Sequence, residues 1–182
     1  QKKLETGIEI EHDMSENRAR VAFLAIGSNL GNRKNNIYLT KSYLKKNKIT
    51  ILKSSKKYES LSWPNKENPK FINIVLKVKT FLTPLNLMKV CLKIEKKIGR
   101  TRNKRNEPRV CDIDIIDYEG IILKNKNNSK LSLPHPKMHK RNFVLLPLFE
   151  IARTWTHPLK KTSIINLINA LDVEDLRTIK LI

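Results

Sequence analysis

Val21-Ala22-Phe23-Leu24-Ala25-Ile26 is an unbroken apolar run closed by Gly27-Ser28-Asn29-Leu30-Gly31-Asn32, which predicts a short buried strand ended by a turn. A helical pattern follows through about Lys46, and Ile49 to Tyr58 alternates well enough for a second strand. The breaker-rich stretch from Ser60 to Pro69 predicts a loop long enough to build part of a site, before Phe71 to Val78 resumes as strand. Thr83-Pro84 supplies an N-cap and a first-turn proline, and Leu87, Cys91, Ile94 and Ile98 then make one apolar helical stripe that Gly99 stops. Arg100 to Pro108 is a polar basic loop, and Val110 to Tyr118 is a fourth strand.

The order from Val21 to Tyr118 is therefore βαββαβ, which predicts an α+β, ferredoxin-like sandwich with helices on one face of an antiparallel sheet. Additional C-terminal helices are expected over Asn142 to Ala152 and Thr162 to Leu171. Residues 1–20 are polar and weakly patterned and read as a tail or linker, leaving 21–182 as one domain.

A net charge of +20, from 37 Lys and Arg against 17 Asp and Glu, raises nucleic acid first among partners. The lysines are scattered through most elements, however, and no nucleic-acid reader motif accompanies them. Neither cysteine, Cys91 or Cys111, lies in an array of zinc-site spacing. No apolar run approaches a membrane span, and the N-terminus lacks the apolar core of a signal peptide, so the cytoplasm is the expected compartment.

The chemistry is concentrated in Pro108-Arg109-Val110-Cys111-Asp112-Ile113-Asp114-Ile115. Alternate strand positions face the same way, so Asp112 and Asp114 present two carboxylates with Cα atoms roughly 6.6 Å apart. Apolar Val110, Ile113, Ile115 and Ile116 around them predict burial, where a carboxylate needs a counter-charge. Hard cations suit that pair, and Arg100, Arg102 and Arg109 nearby suit phosphate oxygens, so the combination points to a metal-bound polyphosphate such as ATP.

Taken in order, Ala25-Ile26-Gly27-Ser28-Asn29-Leu30-Gly31-Asn32-Arg33, Phe71-Ile72-Asn73, Ile94-Glu95, Gly99-Arg100-Thr101-Arg102, the Asp112/Asp114 block, Leu133-Pro134-His135-Pro136-Lys137-Met138 and Arg141-Asn142-Phe143-Val144 resemble 6-hydroxymethyl-7,8-dihydropterin pyrophosphokinases of folate biosynthesis. The resemblance implies a ferredoxin-like fold and transfer of pyrophosphate from ATP to the pterin alcohol, with Asp112 and Asp114 holding two Mg²⁺ ions. It implies Arg100 and Arg102 on a loop that closes over ATP and assists transfer. Arg109, Ile115, Lys130, Ser132, His135 and Arg141 then fall at ATP-contacting positions. Phe71 and Phe143 would sandwich the pterin, Asn73 would meet its edge, and Ser60, Leu61 and Trp63 would complete that edge through backbone groups. Members of the family are often joined to dihydroneopterin aldolase or dihydropteroate synthase, for which residues 1–20 would serve as a linker.

The chain departs from the family pattern at Glu107, where glycine is common, at Val110-Cys111, and at Ser60-Leu61-Ser62-Trp63. These changes imply altered loop behaviour and KM with the same chemistry. A rival reading of the same element order is a basic RNA-binding module, which requires exposed aromatics on the central strands and gains nothing from paired aspartates. A domain that keeps the fold without activity is the other rival, against which stands the presence of every matched ligand residue.

Overall fold

The computed structural model describes residues 18–101, 107–124 and 131–182. Strands β1 (Arg20–Ser28), β2 (Thr50–Ser54), β3 (Tyr58–Ser60), β4 (Phe71–Thr80), β5 (Asp112–Tyr118) and β6 (Lys180–Leu181) form one sheet in the order β5-β1-β4-β3-β6, with β2 also pairing β4. Every pairing is antiparallel. The helices are α1 (Arg33–Lys46), α2 (Pro84–Ile98), α3 (Asn142–Ile151), α4 (Ile164–Asn169) and α5 (Val173–Arg177). Caps read from the sequence hold at α2: Thr83 accepts a hydrogen bond from the Asn86 amide, and Gly99 ends the helix at φ 106°, a left-handed conformation that glycine adopts without strain.

Two features differ from the sequence expectation. The single strand over Ile49 to Tyr58 is two strands, because the Ser55 hydroxyl accepts from the Val75 amide where a ladder carbonyl would stand. The fourth strand begins at Asp112 rather than Val110. Helices α1 and α2 share one face of the sheet, as expected of the βαββαβ unit, and the additional C-terminal helices α3 and α4 cover part of the other. Ala22, Leu24 and Ile26 of β1 pack with Ile37, Leu44, Leu87, Cys91 and Ile94 of α1 and α2, whereas Phe23, Val75 and Ile116 pack with Val144, Leu145, Leu148 and Ile164 of α3 and α4. Burial on both faces is why β1 reads as a continuous apolar run rather than an alternation. The same covering helices occupy the face that an RNA module would expose.

Those helices cover only part of the second face. Phe23, Val75 and Ile116 lie under α3, but further along the same face stand Ala25, Gly27, Asn73, Phe71, Asp112 and Asp114, and there the sheet is left open to a cavity. Among the described residues, no helix is long and apolar enough to cross a membrane.

Candidate active site

The cavity measures about 470 Å³. Its floor is fixed by register: Gly27 pairs Asp112 on one side and Asn73 on the other. Asp112 and Asn73 are thus separated by two interstrand spacings, roughly 10 Å. A side chain at position 27 would crowd this row, since a Cβ there would lie 3.2 Å from both Asn73 Oδ1 and Phe71 Cδ1. Glycine therefore keeps the floor low between the acidic and the aromatic parts of the site.

Three guanidinium groups surround the carboxylates. Arg100 Nη1 lies 2.6 Å from Asp112 Oδ1, Arg109 Nη1 lies 3.5 Å from Asp112 Oδ2, and Arg141 Nη1 lies 3.3 Å from Asp114 Oδ2. Asp114 sits at the bottom of the concavity with 38% of its side-chain surface open to the cavity's own space. Burial, and next the negative charge of Asp112, raise its carboxyl from 3.8 to about 6, against the pull of the arginines. His135 Nε2 is 3.8 Å from the same carboxylate. Burial, and then the Arg141 charge, lower this imidazole to about 4, so it is neutral at neutral pH and makes no ion pair there. The Nε groups of Arg109 and Arg141 are buried with no hydrogen-bond partner among the described residues. Unsatisfied cationic donors beside crowded carboxylates suit a ligand that brings both cations and anionic oxygens.

At one end of the cavity, Phe71, Asn73, Phe143 and Trp63 gather with Ser60 and Leu61. Asn73 donates to Ser60 Oγ at 2.9 Å, which fixes its amide against β3. The Arg109 guanidinium lies 5.5 Å from the Phe71 ring centre, and that of Arg141 lies 5.6 Å from Phe143 and 5.9 Å from Trp63. At the other end the cavity turns around β5, the edge strand, towards Met88 and Leu92 of α2 and to Ile115 and Ser132. Ile115 packs into the α1/α2 core, on the face opposite Asp114, and borders the cavity from that side. Of the residues expected at the site, Arg100, Arg109, Asp112, Asp114, Ile115, Ser132, His135, Arg141, Ser60, Leu61, Trp63, Phe71, Asn73 and Phe143 all line this one cavity. Arg102 and Lys130 lie outside the described residues.

Two residues that sequence reasoning left without a role hold the site together. Glu95, buried on α2, accepts from Arg100 Nη1 at 2.6 Å and from the Ile113 amide at 2.8 Å, so it braces both the arginine and the aspartate strand. Its signal was a carboxylate four residues after Cys91, on the edge of the apolar stripe. Asn29, read as turn punctuation, accepts from the Arg109 amide at 2.7 Å and donates to Ser62 Oγ at 3.2 Å and the Pro69 carbonyl at 3.0 Å. It ties the arginine segment to the loop after β3, and nothing in a Gly-Ser-Asn turn announces that.

Residues 23–153 match 7,8-dihydro-6-hydroxymethylpterin-pyrophosphokinase (HPPK). The 2-amino-4-hydroxy-6-hydroxymethyldihydropteridine pyrophosphokinase of Aquifex aeolicus is 38% identical over 138 residues, covering 75% of this chain and 83% of that protein. The chain belongs to the HPPK family. The Folic acid synthesis protein FOL1 of Dictyostelium discoideum is 44% identical over 138 residues, which are 76% of this chain and 20% of that protein. This HPPK chain thus spans a small part of its longer relatives. The fold is also that of the Plasmodium falciparum HPPK-DHPS wild type with pterin and p-hydroxybenzoate, at TM-score 0.67 and 19% identity, covering 85% of this chain and 43% of that one.

Proposed function

We propose that this chain transfers pyrophosphate from ATP to 6-hydroxymethyl-7,8-dihydropterin, giving AMP and the pterin diphosphate, in the cytoplasmic synthesis of folate. The observation that carries the reading is the row Asp112, Gly27, Asn73: an arginine-ringed carboxylate pair and an aromatic-walled amide lie on the same sheet face with one strand between them. A polyphosphate at the first would present its chain towards a planar heterocycle at the second.

Asp112 and Asp114 would hold two Mg²⁺ ions, as the family resemblance implies. Bound there, magnesium would neutralise phosphate charge and orient the β-phosphorus for in-line attack. Arg100, Arg109 and Arg141 bind and orient phosphate oxygens through fixed donor forks, exchanging carboxylate partners for phosphate ones. Neutral His135 offers a hydrogen bond rather than a charge. Asn73 has a donor and an acceptor for the edge of the pterin, and Phe71 and Phe143 offer apolar ring faces. Glu95 and Asn29 hold this machinery in place. Rate enhancement then comes mainly from positioning and preorganised electrostatics. Arg102 and Lys130 keep the phosphate and nucleotide roles that the resemblance implies.

The deciding experiment is AMP release from ATP with and without 6-hydroxymethyl-7,8-dihydropterin, for the native sequence beside Asp112→Ala and Asp114→Ala. Pterin-dependent AMP that disappears in both variants is the expected result. Release of ADP, or no product despite tight Mg-ATP binding, would overturn the assignment.

A further inference from the structure

Residues 172–182 contribute little to either core, yet their polar contacts go to residues that adjoin both walls of the aromatic end of the cavity. Helix α5 has no buried residue and both residues of β6 are exposed; Leu176 alone of the pair's side chains packs against the α3/α4 core. Asn142, 7% exposed, stands between Arg141 and Phe143 at the start of α3. It makes no cap for that helix. Its amide instead donates to the Asp175 carbonyl and, at 3.2 Å, to Thr178 Oγ1. A few residues on, β6 pairs β3 with Lys180 opposite Glu59 and Leu181 opposite Tyr58, and the Ile182 amide donates to the Lys57 carbonyl at 3.0 Å. Strand β3 runs directly into Ser60, Leu61 and Trp63.

We infer that Asn142 is a positioning residue and that residues 172–182 act as a strap setting the separation between the Phe143 wall and the Ser60–Trp63 wall. The inference rests on the pterin assignment above. A planar ligand held between ring faces is sensitive to their spacing, and Phe143 is one residue from the point at which the strap grips α3. Among the described residues, these attachments of the strap are to α3 and to β3 with the adjoining Lys57, away from the nucleotide end that α2, Ile115 and Ser132 bound. Arg141, on the other side of Asn142, is one of three arginines at the carboxylates. Both pterin walls, by contrast, adjoin the strap's attachments, so the strap acts more on pterin affinity than on nucleotide affinity.

The test uses the full chain, Asn142→Ala, a deletion of residues 172–182, and the two combined. Dissociation constants are measured for Mg²⁺ with a non-hydrolysable ATP analogue, and for 6-hydroxymethyl-7,8-dihydropterin in its presence, alongside Tm. Each change is expected to weaken pterin binding roughly threefold to tenfold while nucleotide affinity stays within about twofold. The combination should be no weaker than the deletion alone, because Asn142 acts through the strap. Unchanged pterin affinity in Asn142→Ala, whatever happens to Tm, would overturn the inference, and so would equal losses for pterin and nucleotide. If the deletion does not fold, Asn142→Ala decides. A native chain that binds the nucleotide and no pterin overturns the substrate assignment and the inference with it, a result distinct from the others.

Discussion

Arg100 Nη1 lies 2.6 Å from Asp112 Oδ1 and equally 2.6 Å from Glu95 Oε1, so one guanidinium bridges a carboxylate of the cavity floor and a carboxylate of the helical core. In the mechanism proposed above, Glu95 would hold Arg100 in place for phosphate when Asp112 turned to a cation. Glu95→Gln keeps an acceptor for the Ile113 amide and removes the charge that orients Arg100. Turnover is expected to fall roughly tenfold to a hundredfold, the range for losing a charge-assisted hydrogen bond, with a smaller change in pterin KM. Steady-state kinetics beside a Tm measurement would separate this from unfolding; a fall in Tm with kcat unchanged would contradict it.

Gly27 matters for the space it leaves. Gly27→Ala sets a methyl 3.2 Å from Asn73 Oδ1 and Phe71 Cδ1, which must then give way. The pterin KM is expected to rise roughly tenfold, the range for lost complementarity of one methyl group in a tight pocket, with nucleotide affinity nearly unchanged. Titrating each ligand separately checks the asymmetry.

Asn29 spans three segments, so Asn29→Ala leaves the Arg109 amide and the Ser62–Pro69 loop without their shared partner. A loss of about 1–3 kcal/mol in stability is expected, read from urea unfolding. Both nucleotide and pterin KM should rise, since Arg109 lies on one side of Asn29 and the Ser60–Trp63 wall on the other.

Protonation at the cavity floor gives opposite slopes for two groups. Asp114 is raised from 3.8 to about 6 on folding, so the folded protein holds this proton more tightly and stability falls as pH rises through that window. His135 is lowered from 6.5 to about 4, so stability falls as pH drops through its window. Asp114→Asn removes the first slope and keeps the second. Relative to the native sequence, the ligand-free variant should therefore gain Tm progressively from pH 4 to 6 and hold a constant difference above, which thermal melts across that range would reveal. The affinity of the native chain for Mg²⁺ and nucleotide should rise over the same interval as Asp114 ionises.

Much of the fold was legible because it depends on local pattern. The apolar run of β1, the Thr83-Pro84 start of α2 and its Gly99 stop follow from propensity and burial at single elements. The aspartate pair was legible for the same reason, since strand periodicity alone puts Asp112 and Asp114 on one face. Splitting of the second strand was not, because it turns on the Ser55 hydroxyl reaching a neighbouring strand. Nor was the covering of the second face by α3 and α4, since an apolar run buried on both sides does not say what buries it.

The sequence by itself determined the elements, the carboxylate pair, the supply of arginines and aromatics, and through ordered motifs the family. Tertiary structure decided which of these meet. Register placed Gly27 between Asp112 and Asn73, and helix packing turned Glu95 inward beneath Arg100. The partial cover of one sheet face by α3 left the remainder open as a cavity. Those relationships join residues far apart in the chain, and they depend on strand pairing and side-chain volume, which a one-dimensional pattern does not encode.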